Sequence, residues 1–415
     1  MGFRRDAQFY RFSAYGFLKN LRFFEPFIIL YFRSAGFSFL QIGLLFSIRE
    51  TATVVLEVPS GFIADVRGRK SAMVISMTAY VLSFTTFFLT FSYAAAIGAM
   101  VLFAVGEAFR TGTHKAMILE YLSLTEQAQY KSDYYGATRA ASQLGSAVNA
   151  LIAAALVFAS GQYRYVFLAA ILPCLLNILN LGTYPAELSW TRAGGSRPGM
   201  RRTLKRLASA VGSGEVRLSV LNSATFDAFF KVLKEYLQPT LKALALGMPI
   251  LMAAGSHRRT AVLVGVVYFL LFLLAGAASR SSGLFGRRAG GLSRAMNLSW
   301  LAGVALLAAA GGFRALDITW LSVVAYVALY AVQNLRRPIC VSRISEGVHG
   351  GVMSTGLSVE SLTKTLGMAL LAPACGWVAD RMGVGVAVLG FGLLLGLLYL
   401  PLRMREAGCS LRSPA

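Results

Sequence analysis

Charged residues interrupt several long apolar stretches of the sequence, and their types and spacing could bind a solute or carry a proton. Arg22 and Glu25 stand three positions apart in the first stretch, as do Glu107 and Arg110 in a later one, where His114 is predicted to share their helical face. Residues three or four apart share one face of a helix. Inside a bilayer each such charge costs about 2.5–3.5 kcal/mol on insertion scales, so it usually faces a water-filled cavity or an opposite charge. Further groups of this kind are Asp227 with Lys231 and Lys234, and Glu360 with Lys364.

Basic residues outnumber acidic ones within these stretches. The basic residues are Lys19, Arg22, Arg49, Arg110, Lys115, Arg139, Lys231, Lys234 and Lys364, and the acidic ones are Glu25, Glu50, Glu107, Asp227, Glu235 and Glu360. A surplus cation in a low-dielectric cavity attracts an anionic or zwitterionic ligand. We therefore expect Arg22, Arg110 and Lys231 to contact a substrate. The alternative is that acid–base pairs only neutralise one another and hold helices together.

Four of the acidic residues are candidates for carrying a proton. A low-dielectric site disfavours the charged form of a carboxylate, which favours proton exchange near neutral pH. The candidates are Glu25, Glu107, Asp227 and Glu360, and each has a basic neighbour that acts in the opposite direction. The sequence therefore leaves proton symport, antiport, exchange and uniport open.

The composition shows what kind of chain has to position these charges. Of 415 residues, 56% are hydrophobic and a further 41 are glycine, while only 14% are charged. Soluble domains are about 45–50% apolar with glycine included and about 25% charged. So much apolar surface does not fit inside one soluble globule, and the composition also excludes a disordered chain, a coiled coil and a disulfide scaffold. The sequence predicts a polytopic membrane protein.

Twelve stretches are long and apolar enough to cross a bilayer as helices. A spanning helix needs about 20 mostly apolar residues, and these stretches are far too long to be strands of a barrel. The predicted spans one to twelve are residues 14–32, 38–63, 71–91, 95–119, 134–159, 165–183, 218–238, 259–279, 292–311, 317–335, 354–378 and 384–402. We therefore expect an all-α membrane protein with twelve transmembrane helices.

The connecting segments differ strongly in basic residues, which predicts the orientation of the chain. Lys and Arg are concentrated in one alternate set of segments, including Arg336, Arg337 and Arg343 after span ten. Cytoplasmic loops carry such an excess, so both termini are predicted to be cytoplasmic. The same bias accounts for the net charge of +22, and no nucleic-acid partner is expected.

The longest break lies between the sixth and the seventh span. It contains Gly-Gly-Ser-Arg-Pro-Gly at 194–199 and then a basic stretch from Arg201 to Arg206. That stretch is either a short amphipathic helix lying on anionic headgroups or a solvated loop. In both cases the chain divides into an N-terminal six-helix bundle at 1–183, a cytoplasmic basic linker at 184–217 and a C-terminal six-helix bundle at 218–415.

The break after span two carries the most specific motif of the sequence, Gly61-Phe-Ile-Ala-Asp65-Val-Arg67-Gly68-Arg69-Lys70. Gly68 permits a tight turn, and Asp65 stands at a helix end, where it can cap the helix or pair with a basic residue. Arg67 can reach a carboxylate, while Arg69 and Lys70 are expected to stay in water.

This motif resembles the signature loop of the major facilitator superfamily, G-x-L-A-D-x-x-G-R-K, and the preceding Glu57-Val-Pro59-Ser suits the same family. The likeness extends to two six-helix halves joined by a long central loop. It implies the family's fold of two pseudo-symmetric six-helix bundles and a secondary transporter that works by alternating access. In the family this loop is a conformational latch, and that role is carried over to Gly61, Asp65, Arg67, Gly68 and Arg69.

The resemblance also implies which spans line a central cavity. In the family these are spans one, four, seven and ten, and three of the four carry charge clusters in this chain. Span ten adds Tyr326, Tyr330 and Asn334, which are four apart and share a face. Tyr330 and Asn334 are therefore expected to hydrogen-bond a small polar substrate.

Three further segments can be compared with sequence motifs of the superfamily. Span five lacks the Gly-Pro-x-x-Gly-Gly element of many drug/proton antiporters, which weighs against multidrug efflux, although 28 Phe and 17 Tyr keep that alternative open. The loop at 280–291 has no acidic residue, so an asymmetric latch is expected. A second string, Gly376-Trp-Val-Ala-Asp380-Arg381-Met-Gly383, ends span eleven and predicts a tight turn.

Other functions lack their motifs in this sequence. It has no HExxH, GxSxG or P-loop, so no enzyme activity is expected. Its three His and four scattered Cys form no metal-binding pattern, so neither a metal nor another cofactor is expected. A membrane sensor that binds a ligand without moving it stays an alternative. The predicted partners are a small-molecule substrate, the lipid bilayer and, as an option, protons, for a monomer in a bacterial inner membrane.

Overall fold

A computed structural model of the chain describes residues 4–189, 214–249, 253–346 and 353–404. These residues form helices joined by short turns, some of them 3₁₀, and no strand occurs among them. The helices are α1 (Ala7–Lys19), α2 (Ile28–Ser34), α3 (Phe39–Arg67), α4 (Arg69–Leu89), α5 (Tyr93–Arg110), α6 (Thr113–Leu124), α7 (Lys131–Ser160), α8 (Tyr165–Gly182), α9 (Gly214–Leu233), α10 (Leu237–Gly247), α11 (Ser256–Arg288), α12 (Leu292–Ala315), α13 (Thr319–Glu346), α14 (Met353–Met382), α15 (Val384–Leu397) and α16 (Tyr399–Leu402). The predicted basic stretch from Arg201 to Arg206 lies outside the described residues.

Eight helical segments of the described residues are long and apolar enough to cross a membrane. They are α3, α4, α5 together with α6, α7, α8, α11, α12 and α14, which correspond to predicted spans two to six, eight, nine and eleven. This confirms the predicted all-α membrane fold. The other predicted spans fall on helices that are broken, rich in charge or short, such as the 14-residue α15 at span twelve.

Span one is not the continuous helix that the sequence predicts over 14–32. Helix α1 ends early, and the chain leaves the helical path until a 3₁₀ turn leads into α2. Pro26 in that turn has no backbone N–H with which to continue a helix. The side-chain amide of Asn20 donates to the carbonyl oxygens of Gly16 and Ser142, each at 2.9 Å. These bonds satisfy one of the carbonyls left open at the end of α1.

Spans four and seven are broken as well. Gly112 separates α5 from α6 with a φ of +77°, a conformation that glycine adopts at low cost. In span seven a 3₁₀ turn at Lys234–Tyr236 separates α9 from α10, and Pro239 lies in the first turn of α10, where its missing N–H is tolerated. Non-helical backbone at membrane depth is tolerated only where protein buries it or where it lines a water-filled cavity. We therefore expect these breaks, which lie close to charged residues, either to be buried by protein or to line a cavity.

The described helices form two compact units, of which the first takes its residues from Met1–Arg197, Glu235–Leu273 and Met368–Gly383. Helices of the first unit approach closely at glycines. A Cβ on Gly43 would lie 2.4 Å from the carbonyl oxygen of Ala372, and one on Gly145 would lie 2.5 Å from that of Phe17. Small residues of this kind allow helix backbones to touch inside a membrane.

Asp380, near the end of α14, caps the start of α3 within the first unit. Its two carboxylate oxygens accept hydrogen bonds from the backbone N–H groups of Phe39 and Leu40, each at 2.8 Å. Ser38 begins a capping box at the same helix start, so two helices together satisfy its open amides. The sequence predicts only a tight turn for this string. Gly383 makes that turn with a φ of +87°, and the cap is an additional role.

The second unit takes its residues from Pro198–Lys234, Leu274–Gly367 and Val384–Ala415, and it buries a complete arginine side chain. Arg336 is 1% exposed, and its guanidinium carbon lies 4.6 and 5.5 Å from the ring centres of Phe226 and Trp300. The guanidinium donates to the hydroxyl of Ser299 at 2.9 Å and to the side-chain oxygen of Asn222. Oxygen acceptors and ring faces together hold this cation away from water.

The position of this arginine differs from the sequence prediction. Arg336 and Arg337 are predicted to lie in a connecting segment, but α13 continues to Glu346, so both lie inside the helix. The helix continues through these basic residues because α9, α12 and α14 supply acceptors for their guanidinium groups. Neither residue therefore counts as a loop charge, while the cytoplasmic placement of the termini stays a prediction.

Candidate functional site

The signature loop lies between α3 and α4 in the first unit. Gly68 separates the two helices with a φ of +88°, as a tight turn requires. Asp65 and Arg67 are exposed at the end of α3, and Gly61 lies earlier in the same helix. The role of these residues as a conformational latch stays a prediction.

The two basic residues that follow the turn are anchored to protein, which corrects the expectation that they stay in water. Arg69 forms an ion pair with Glu120 of α6 at 3.7 Å, and its side chain is only 13% exposed. Lys70 donates to the carbonyl oxygens of Gly182 and Tyr184 at 2.7 and 3.1 Å. Carbonyls at a helix end lack intrahelical donors, so Lys70 binds the end of α8 and Arg69 binds α6.

The first charge cluster consists of Arg22, Glu25, Glu107 and Arg110 in the first unit. Arg22 lies in the break between α1 and α2, while Glu107 and Arg110 lie in the last turn of α5. Arg22 pairs with Glu25 at 3.2 Å and with one oxygen of Glu107 at 2.5 Å. Arg110 pairs with the other oxygen of Glu107. Two guanidinium groups therefore share one carboxylate, and all four predicted residues come together.

Aromatic rings surround the first cluster. The hydroxyl of Tyr80 accepts a hydrogen bond from Nε of Arg110 at 3.2 Å. The guanidinium carbon of Arg22 lies 6.0 Å from the ring centre of Tyr80 and 5.8 Å from that of Phe103, within cation–π range. His114 stands apart in α6, where its ring stacks on Tyr15 with a centroid distance of 3.9 Å. His114 thus leaves the helical face that its sequence spacing assigns to it, because Gly112 breaks the helix.

A small cavity adjoins the first cluster. Its lining residues are Leu18, Lys19, Leu21, Arg22, Met77, Tyr80, Phe84, Arg110, Ala170, Pro173 and Cys174. Its volume is about 20 Å³, room for about one water-sized group. Three of the lining residues are cations and none is acidic. The cavity can therefore receive one oxygen of an anionic group, but a whole solute requires more space.

The second charge cluster consists of Asp227, Arg337 and Glu360 in the second unit. Nη1 of Arg337 lies 3.1 Å from Oδ2 of Asp227, and its guanidinium donates to both oxygens of Glu360, with Nη2 to Oε2 at 3.0 Å. The hydroxyl of Ser223 donates to Glu360 at 3.1 Å, and the amide of Gln333 donates to Asp227 at 2.6 Å. The Glu360 side chain is 1% exposed and that of Asp227 is 7% exposed. One guanidinium group is therefore shared by two buried carboxylates.

The remaining predicted substrate contacts have structural partners of their own. Lys231 lies one turn beyond Asp227 in α9 and is partly buried. The ring of Tyr330 packs edge-to-face on Phe230, with centroids 5.2 Å apart. The amide of Asn334 donates to the carbonyl of Tyr330 in its own helix at 2.9 Å. A role for these residues in binding a substrate stays a prediction.

Gln238 is a buried contact that sequence reasoning missed. Its side-chain oxygen accepts from the backbone N–H of Ile29, and its amide donates to the backbone oxygen of Glu25 and to the carboxylate of Glu235, all at 2.9 Å. The residue is fully buried. It satisfies backbone groups that the break in span one leaves open, and no pattern in the sequence indicated this.

Arg337 and Tyr80 are the other contributors that the sequence did not assign. Arg337 follows directly after the apolar part of span ten, so its hydrophobic pattern favoured a loop. Tyr80 is one of 17 tyrosines and has no charged neighbour in sequence that would single it out. Among the described residues, no three His, Cys, Asp or Glu side chains lie close enough to hold a metal ion.

Comparison with known families and proteins adds independent information. A family model described as Major Facilitator Superfamily matches residues 12–362. The chain is 37% identical over 107 residues to an "Uncharacterized MFS-type transporter YxaM" of Bacillus subtilis (strain 168). That match covers 25% of this chain and 26% of the relative, so the chain matches only about a quarter of the relative's length.

Solved structures share the fold at low sequence identity. The nucleoside transporter NupG has a TM-score of 0.78 and 13% identity, and the match covers 97% of this chain and all of that one. A POT family transporter in complex with 5-aminolevulinic acid has a TM-score of 0.67 and 13% identity, with 95% and 94% of the two chains covered. At this identity the likeness shows the fold alone.

Proposed function

Because the chain belongs to the Major Facilitator Superfamily and is a membrane transporter, we propose that its substrate is a small polar solute with a negative charge, either an organic anion or a zwitterion. One observation carries this proposal. Lys19, Arg22 and Arg110 line the same small cavity, and none of its lining residues is acidic.

The balance of positive and negative side chains at and beside the first cluster supports the proposal. Glu107 is shared by two guanidinium groups, and Glu25 adds a second carboxylate that is 48% exposed. Lys19 of the adjoining cavity is a third cation beside these two carboxylates, and the more exposed carboxylate is the more strongly screened by water. An incoming carboxylate or phosphate balances the surplus charge and forms charge-assisted hydrogen bonds with guanidinium donors. Arg22 and Arg110 are the proposed contacts for this anionic group.

The mechanism is proposed to be alternating access, with proton exchange at Glu25. Of the four candidate carboxylates, Glu25 is the most accessible, while Glu107, Asp227 and Glu360 are 18%, 7% and 1% exposed. Water must reach a group that exchanges protons with the solution. Glu25 also adjoins the non-helical break in span one, where Gln238 holds the backbone.

The descriptions of two structural neighbours name small polar molecules. One neighbour is a nucleoside transporter, and the other is a POT family transporter in complex with 5-aminolevulinic acid. 5-Aminolevulinic acid carries both a carboxylate and an amine, so it is an example of the zwitterionic solute that we propose. These neighbours share only 13% of their sequence with this chain, so they guide the choice of solutes to test.

Multidrug efflux is a second candidate, because aromatic rings border the same cavity. Tyr80 and Phe84 line it, and Phe103 lies beside Arg22. Such rings suit lipophilic drugs as well as they suit the guanidinium groups. The sign of the preferred ligand separates the two candidates, since lipophilic cations are repelled by the cationic lining.

Thermal stabilisation of the purified protein across a panel of solutes tests the proposal. The panel sets organic anions, sugar phosphates and amino acids against lipophilic cations. We expect stabilisation by members of the first group and its loss in Arg110→Gln. The matched control is Arg314→Gln, which removes another partly buried arginine whose carboxylate partner is three residues away. Stabilisation by lipophilic cations alone would overturn the proposal in favour of drug efflux.

A double variant separates substrate binding from structural pairing. If Arg110 serves only to neutralise Glu107, then Glu107→Gln combined with Arg110→Gln restores both stability and ligand response. If Arg110 contacts the substrate, the double variant regains stability but not the response. Uptake of the stabilising solute into proteoliposomes then distinguishes a transporter from a sensor that binds without moving its ligand.

A further inference from the structure

The second unit contains an open groove that the proposed transport function does not use. The groove lies where α9 and α12 begin and α16 ends, so three helix ends meet there. Its volume is about 1300 Å³, larger than the roughly 300–1,000 Å³ of a typical small-molecule pocket. The groove therefore suits a long occupant better than a small polar solute.

One rim of the groove is basic. Arg217, Arg294 and Arg403 come from three different segments of the chain, and all three are exposed. Within the described ranges, neither the Arg217 nor the Arg403 side chain has a hydrogen bond or an ion pair to another residue. Arg343 at the same groove differs, because it pairs with Glu215 at 3.3 Å. Two guanidinium groups are thus available to an outside anion.

The placement of Arg217 is unfavourable without such an anion. Arg217 lies in the first turn of α9, and the groove also borders the start of α12. The start of a helix carries a partial positive charge that attracts anions and repels cations. An anion between the arginines reverses this repulsion, since it faces both the guanidinium groups and the helix starts.

The floor of the groove is apolar. Leu298 and Leu400 line it and are 51% and 78% exposed, and Leu301 beside them is 45% exposed. In a chain that crosses a bilayer, exposed leucines next to interfacial arginines lie against acyl chains while the arginines reach the headgroups. A free phosphate ion would satisfy the rim but leave this floor uncovered.

We propose that the groove binds an anionic phospholipid, with its phosphate between Arg217 and Arg403 and its acyl chains along Leu298 and Leu400. Guanidinium groups match phosphate oxygens in geometry and charge. Basic pockets between membrane helices are the kind of site that binds anionic headgroups. The groove lies at the end of the unit that the distribution of Lys and Arg predicts to be cytoplasmic, so the lipid belongs to the inner leaflet.

The test measures the thermal stability of the full-length protein in detergent as phosphatidylglycerol is titrated in. Phosphatidylcholine with the same acyl chains provides the net-neutral comparison, and glycerol 3-phosphate provides the headgroup without acyl chains. We expect phosphatidylglycerol to raise the melting temperature by several degrees more than either. In Arg217→Gln/Arg403→Gln the apparent affinity should fall about 25-fold, because each guanidinium lost near an anionic headgroup lowers it about fivefold.

The matched control removes two exposed arginines from the same unit outside the groove, Arg287→Gln/Arg288→Gln, which should leave the affinity unchanged. Should Arg217→Gln/Arg403→Gln fail to fold, Arg403→Gln alone should show a fivefold loss, because Arg403 follows the last turn of α16. Equal weakening in the control pair would show a general surface-charge effect and overturn the proposal. Equal stabilisation by glycerol 3-phosphate would reassign the groove to a free anion.

Discussion

The two charge clusters share their ions in opposite ways. In the first cluster two guanidinium groups share the carboxylate of Glu107, whereas in the second cluster Asp227 and Glu360 share the guanidinium of Arg337. The side chains of Arg22, Glu107 and Arg110 are 18–23% exposed. Glu360 and Asp227 are almost completely buried.

This difference indicates different roles. The first cluster is partly exposed and has Lys19 beside it as an additional cation, so it retains attraction for an anion that arrives from water. In the second cluster the Arg337 side chain is 36% exposed, but both carboxylates are buried. They also accept from Ser223 and Gln333, so their hydrogen-bonding capacity is used within the protein. The second cluster therefore suits the joining of α9, α13 and α14, while the first suits contact with a solute.

Arg337→Gln should give the largest loss of stability, because it leaves two buried carboxylates without their cation. Removal of one partner from a buried ion pair costs about 3–5 kcal/mol. Unfolding in a detergent titration measures the loss, and Arg337→Gln/Glu360→Gln should recover part of it. A loss below about 1 kcal/mol, the size of an exposed pair, would contradict the structural role of the second cluster.

Glu107→Gln should cost somewhat less, about 3 kcal/mol at the low end of the same range, because water partly reaches its two arginines. The same unfolding titration measures it. Ligand response provides the sharper comparison, since Glu107→Gln raises the surplus positive charge and should tighten the binding of an anionic solute. Weaker binding of anions by this variant would show that Glu107 itself contacts the solute.

Gly106→Ala should disturb the first cluster through Tyr80. A Cβ at position 106 would lie 2.6 Å from Cε1 of the Tyr80 ring, so the ring has to shift, which disturbs the hydrogen bond between its hydroxyl and Arg110. Overpacking of this kind costs about 1–3 kcal/mol, measured as a lower free energy of unfolding. Gly367→Ala is the counterpart in the second unit. The Cβ of an alanine at position 367 would lie 3.0 Å from the Cβ of Ala228, so we expect a smaller loss of unfolding free energy there. Equal losses in the two variants would contradict the expected difference between the two sites.

Two hydroxyl deletions should give the smallest effects. Tyr80→Phe removes an acceptor for Arg110, and Ser223→Ala removes a donor to Glu360. A hydrogen bond to a charged group contributes about 1.5–3 kcal/mol when buried, and water replaces part of it where the site is accessible. Ser223→Ala should therefore cost more than Tyr80→Phe in unfolding titrations. The reverse order would mean that the first cluster is the less hydrated of the two.

Local patterns predicted much of the fold and part of the site. Apolar stretches predicted the membrane helices, since helix formation in a bilayer depends on local hydrophobicity and length. The short spacings of Arg22 with Glu25 and of Glu107 with Arg110 also predicted pairs that the structure contains. The sequence spacing predicted the wrong helical face for His114, because Gly112 separates α5 from the helix that contains His114.

Contacts between distant segments were not predictable in this way. Glu360 has Lys364 four residues away, yet the cation that donates to its carboxylate is Arg337 on another helix. Asp380 lies in a string that predicts a turn, yet it caps a helix that begins 341 residues earlier. Neither partner leaves a local signal, because both contacts depend on which helix ends the packing brings together.

The sequence by itself determined that this chain is a multi-pass helical membrane protein of the Major Facilitator Superfamily with charges inside its spans. These properties follow from the high cost of exposed backbone and charge in lipid, which constrains each segment independently. Only the tertiary structure decided how the charges are shared, two arginines on one carboxylate in the first cluster and one arginine between two in the second. Coulombic and hydrogen-bond energies depend on distances of a few ångströms, and only the packing of the helices fixes those distances.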